Sequence, residues 1–79
     1  MRVAKIVVPP ASIRAGEDAM AGRFTTQDVV DAVRAINEEV GLDPGEHTSE
    51  EYARLVADKI IGKALAANRI WSDGEGWRA

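Results

Sequence analysis

The sequence predicts a small α+β domain: two or three helices, an N-terminal strand and a C-terminal β-hairpin. Three observations carry this expectation. Two capped helix starts, at Phe24–Val29 and at Thr48–Glu51, each open onto apolar residues at helical spacing. A β-branched run, Arg2–Val8, stops at the pair Pro9-Pro10. A short tail places Trp71 and Trp77 on either side of the turn-forming pair Asp73-Gly74. At 79 residues the chain is long enough for one domain, residues 1–79, and no more.

The elements follow in order. Arg2–Val8 reads as a strand with a polar interruption at Lys5, and Pro10 is suited to the first position of a helix. Ala11–Ala21 reads as a short, irregular helix. Ile13 and Met20 share a face and the alanines favour helix, while Gly16 weakens it by about 1 kcal/mol and Gly22 suits its end. In the next helix Thr25 is the cap, with Asp28 three residues on. Phe24 and Val29 have the spacing of a hydrophobic staple. Val29, Val30, Val33, Ile36 and Val40 form its apolar stripe, and Gly41 ends it. Asp43-Pro44-Gly45 marks a turn. Thr48 and Glu51 then form a second capping box, opening a helix that runs to about Asn68. Its apolar face is Tyr52, Leu55, Val56, Ile60, Ile61, Ala64 and Leu65, and Gly62 marks a bend or a close crossing. The tail from Arg69 to Arg78 is the hairpin. It needs a partner strand, and Val3–Val8 is the segment the sequence offers. Trp71 is expected in the core and Trp77 partly exposed.

Composition narrows the function classes. Without cysteine there is no disulfide and no thiolate nucleophile, and a single histidine excludes a His-rich metal site. No apolar run approaches the roughly 20 residues of a membrane span, and the start of the chain lacks a signal-peptide core. A cytoplasmic protein with no membrane partner is the expectation. The net charge of −3 averages three unequal stretches. Met1–Gly16 carries +3 from Arg2, Lys5 and Arg14; Glu17–Glu51 carries −8; Tyr52–Ala79 carries +2. A mildly acidic total argues against a non-specific nucleic-acid coat but leaves room for a local basic face.

The catalytic signals are weak. Glu17-Asp18, Glu38-Glu39 and Glu50-Glu51 are adjacent in sequence, so on a helix each pair diverges by about 100° and does not converge on a substrate. Glu50 and Glu51 are accounted for by capping and the helix dipole. His47 sits in a turn, and its spacing to Asp43, Glu46 and Glu50 matches neither zinc nor EF-hand sites. Ser12, Ser49 and Ser72 lack a nucleophile elbow, and Gly74-Glu75-Gly76 opens no helix. The expectation is a non-enzymatic protein without cofactor or metal.

Lys63–Trp71, followed by Gly74-Glu75-Gly76-Trp77-Arg78, is a helix closing on an apolar residue, then a polar corner and a hairpin. With the helices before it, the stretch Phe24–Arg78 resembles the winged helix-turn-helix superfamily. The resemblance implies a recognition helix at Thr48–Asn68 and a wing at Arg69–Arg78. It implies a regulatory protein that docks on double-stranded DNA through Arg54, Lys59, Lys63, Arg69 and Arg78. Glu50 and Glu51 at the start of that helix, and Asp73 and Glu75 in the wing, would repel phosphates, so shape would do much of the reading. The alternative is a protein-interaction module, an adaptor, complex subunit or phage-type inhibitor. It would dock through the acidic middle of the chain, with Asp31, Glu38, Glu39 and Trp77 at the contact. A third reading is a homodimer held by the broad apolar face of the second long helix.

Overall fold

The computed structural model describes residues 1–79 and contains three helices, α1 (Pro10–Asp18), α2 (Thr26–Glu39) and α3 (Ser49–Ala66). Both capping boxes form. Thr25 Oγ1 accepts from the Asp28 N–H at 3.1 Å, and the Asp28 carboxylate accepts from the Thr25 N–H at 2.8 Å. Thr48 and Glu51 repeat the arrangement at 3.1 and 2.8 Å. Each cap satisfies backbone donors that a helix start otherwise leaves free. α1 begins at Pro10 with no side-chain cap, as a proline at this position allows. α2 and α3 end alike. The N–H of Leu42 reaches the Asn37 carbonyl at 2.9 Å, and that of Arg69 reaches the Ala64 carbonyl at 2.9 Å. Gly41 and Asn68 hold the left-handed conformation that this closure needs.

The core is a single cluster. Val29, Val30 and Val33 of α2 meet Tyr52, Ala53, Val56, Ala57, Ile60, Ile61 and Ala64 of α3; Val3, Val8, Phe24 and Ile70 close its ends. Burying one such valine or isoleucine contributes about 1.5–3 kcal/mol before entropy is counted. The face of α3 differs from its expected composition. Leu55 and Leu65 are exposed, and Ala53 and Ala57 are buried instead, because the small side chains are what fit against α2. Val40, at the end of the α2 stripe, is exposed, while Asn37 is buried and accepts a hydrogen bond from the Ser12 hydroxyl of α1.

Gly16 is where α1 passes closest to the other helices. A Cβ there would lie 2.9 Å from Ile60 Cδ1 and 3.0 Å from Val33 Cγ2. Its lost helix propensity is therefore exchanged for close packing. Gly62 meets nothing within 4 Å, and α3 runs through it to Ala66. The close crossing expected at Gly62 is found at Gly16.

The strands correct the expected pairing. Arg2–Val8 is not one strand added to the tail. It folds back on itself as β1 (Arg2–Val3) and β2 (Ile6–Val7), with Val3 opposite Ile6. Ala4 and Lys5 turn the chain at φ values of 51° and 67°, the conformation of the two-residue hairpin turn that follows strand twist. This hairpin lies against the start of α3 and the connection before it: the Tyr52 hydroxyl donates to the Ile6 carbonyl at 3.3 Å, and the Gly45 position faces the Ile6 side chain. The partner of the C-terminal hairpin is β3 (Arg23–Phe24), from the α1–α2 connection. It pairs antiparallel with β5 (Trp77–Arg78), which pairs with β4 (Trp71–Ser72), giving the order β3-β5-β4. The helix-strand-helix-helix-hairpin order is winged-helix-like. No helix is long and apolar enough to cross a membrane.

Candidate nucleic-acid interface

The charged side chains of α3 divide between its two ends. At the N-terminal end they are tied to α2. Arg54 Nη2 donates to Gln27 Oε1 at 2.8 Å and lies 3.6 Å from Glu50. Arg34 of α2 reaches Glu38 at 2.9 Å and Glu50 at 3.3 Å, and the Ser49 hydroxyl donates to Glu38 at 2.8 Å. The bond from Arg34, seconded by Ser49, holds the Glu38 carboxyl below its usual range. Glu51 is lowered by its bond from the Thr48 N–H. Of the expected cations, Arg54 thus belongs to an internal web of charge.

At the other end the cations have no such partners. Lys59, Lys63, Arg69 and Arg78 form no salt bridge; the paired cations are Arg23, Arg34 and Arg54. Lys63 and Arg69 meet at a hollow of about 200 Å³ between α1 and α3, lined also by Met1, Ile13, Glu17 and Ile60. Arg69 and Glu17 continue into a second hollow of about 250 Å³ with Met20, Ile70 and Ala79. Lys59 stands on an exposed turn of α3. Arg78 lies on the wing, apart from the hollow.

The sheet sorts its side chains by register. Phe24, Trp77 and Ser72 occupy one row, and Arg23, Arg78 and Trp71 the other. Phe24 is buried and Trp77 packs against the core, so by strand alternation the second row faces outward. Trp77 Nε1 donates to Thr26 Oγ1 at 3.1 Å. Trp77 is partly exposed, as expected, and the expected core position of Trp71 is corrected. Trp77 is half-buried and bonded to α2, whereas Trp71 is 53% exposed. The core position expected for Trp71 is taken by its neighbour Ile70.

The four residues between β4 and β5 are held by Asp73. Its carboxylate accepts from the Glu75 and Gly76 N–H groups at 3.2 and 3.0 Å and from Arg23 Nε at 2.8 Å. The bond from the Glu75 N–H and the nearby Arg23 charge lower its pKa against the effect of burial. Gly76 is required here, because a Cβ would come within 2.7 Å of the Phe24 carbonyl oxygen. The wing is thus fastened to β3 at both its turn and its inner row.

Of the residues of the alternative reading, Asp31, Glu38 and Glu39 lie on α2 and Trp77 is bonded to its first residue. Asp31 accepts from Gln27 at 2.8 Å, Glu38 is engaged by Arg34 and Ser49, and Glu39 is exposed. His47 is half-buried beside the β1–β2 turn, at a hollow lined by Lys5, Ile6, Pro44 and Glu46. No three His, Asp or Glu residues converge to hold a metal ion. Comparison with family models, with curated proteins and with solved structures found no match.

Proposed function

We propose that this chain is a winged-helix-like, non-enzymatic DNA-binding protein that acts in the cytoplasm in a regulatory role. The observation that carries this reading is the group of unpaired cations, Lys59, Lys63, Arg69 and Arg78, along the C-terminal half of α3 and the wing. Unpaired cations beside a duplex displace condensed counterions without first breaking an internal ion pair. Arg54 contributes little to binding, because engaging a phosphate costs it Gln27 and Glu50. Glu50 and Glu51 keep the start of α3 from base edges, so docking is led by the backbone and shape is read more than sequence. One module of this size offers few contacts, and a second copy on an adjacent half-site would supply the rest.

The test is fluorescence anisotropy with a labelled duplex across a salt series. Four phosphate contacts give a slope of log affinity against log salt of about −3.6. Absence of duplex binding at low salt would overturn the reading. The protein-interaction alternative draws less support, since Asp31 and Glu38 are already engaged within the chain.

A further inference from the structure

The outer row of the wing sheet holds an aromatic side chain that backbone docking on a duplex does not use. Trp71 is the one aromatic among the large apolar side chains left exposed, although leaving an indole in water forgoes a large burial gain. It lies directly across the strand pair from Arg78, so the two Cβ atoms are about 4.5–5.5 Å apart. Arg23, the third member of the row, is occupied by Asp73 at 2.8 Å and Glu75 at 3.7 Å. Arg78 has no carboxylate within reach.

An exposed ring beside a free guanidinium presents a π-face and an anion receptor side by side. A nucleotide in a single strand carries the complementary pair, a base plane and a phosphate monoanion one sugar apart. A base that is paired within a duplex cannot offer its face, so this surface suits an unpaired strand. The supports of the platform are rigid: Asp73 and Arg23 hold the turn, and Trp77 anchors β5 to α2 through Thr26. Arg69, also without a salt bridge, lies two residues before Trp71 and extends positive charge toward the start of the strand.

We propose that Trp71 and Arg78 form a stacking site for an unpaired base and its phosphate, on the outer face of the wing sheet. The protein would then hold single-stranded nucleic acid, or the frayed end of a duplex, at this face. The inference goes beyond duplex docking and does not depend on it.

The two tryptophans make it measurable. Oligodeoxythymidylate of roughly twelve nucleotides, within the range of single-strand site sizes, is titrated into the full chain while tryptophan emission is followed. Stacking quenches Trp71 and leaves Trp77 unaffected. In Trp71→Ala the quenching disappears and affinity, read by anisotropy, falls roughly tenfold. Trp71→Phe keeps most of the affinity, because a π-face remains. In Arg78→Ala the salt slope becomes shallower by about 0.7, the loss of one single-strand phosphate contact. An abasic strand of equal length binds roughly tenfold more weakly than the thymidylate. Far-UV circular dichroism of each variant verifies the fold. The proposal is overturned if thymidylate does not quench, or if the abasic strand and Trp71→Ala leave affinity unchanged. Duplex anisotropy on the same protein separates the two readings. Duplex binding without thymidylate quenching removes the stacking site alone, and quenching without duplex binding removes the duplex reading alone.

Discussion

The two ends of α3 hold their charged residues in opposite states. At the N-terminal end, Glu50 and Arg54 are bound into α2 through Gln27 and Arg34, and Glu51 closes its own capping box. At the C-terminal end, Lys59 and Lys63, with Arg69 just beyond, make no ion pair. The difference shows that a count of cations along a helix is a poor guide to what a ligand meets. A cation already bonded to a neighbour brings less to a new anion than a free one, because it must first give up what it has.

The contrast can be broken from either side. The largest effect is expected from Lys63→Glu combined with Arg69→Glu. Two reversals in the free group should lower duplex affinity at least about a hundredfold at low salt, while Arg54→Ala changes it less than about threefold. Gly16→Ala comes next and tests the support under the free end. Its methyl group meets Ile60 and Val33, so unfolding should be easier by about 1–3 kcal/mol in a denaturant titration. Thr48→Ala loosens the tied end by removing the bond to the Glu51 N–H, at a cost of about 1 kcal/mol. Gly62→Ala has the opposite sign. Its Cβ points into open space, and the variant should be about 0.5–1 kcal/mol more stable.

Acid should act on the tied end and the wing turn, where hydrogen bonds lower the carboxyl groups of Glu38, Glu51 and Asp73. A folded-state pKa below the unfolded one means stability present above the ordinary carboxylate range. That contribution is lost as pH falls through this range toward the folded values. The melting temperature should therefore drop between about pH 5 and pH 3, and drop less in Glu38→Gln.

Much of the fold was legible in the sequence, for local reasons. Thr25–Asp28 and Thr48–Glu51 are short-range signals, and both boxes form where the spacing puts them. Pro10 starts α1 as its fixed φ suggests. What escaped is non-local. Arg23–Phe24 is too short to show a strand period, and its role as the third strand depends on a partner more than fifty residues away. Arg2–Val8 looked like one strand because nothing in Ala4-Lys5 advertises a turn. Both residues carry a Cβ at positive φ, where Asn-Gly is the usual pair. For Trp71 the register decides: Ile70 goes to the core, and Trp71 must then face outward. Among the candidate site residues, the sequence does carry one sign that sets Arg54 apart from Lys59 and Lys63, Glu50 four residues before it, whereas its other partner, Gln27, lies on another helix.

The most direct measurement is the salt dependence of duplex affinity in three proteins: the parent chain, Arg54→Ala and Arg69→Ala. The expected result is a slope shallower by about 0.9 for Arg69→Ala and unchanged for Arg54→Ala. Equal flattening in both variants, or a slope that neither changes, would contradict the division of α3 into a tied end and a free one.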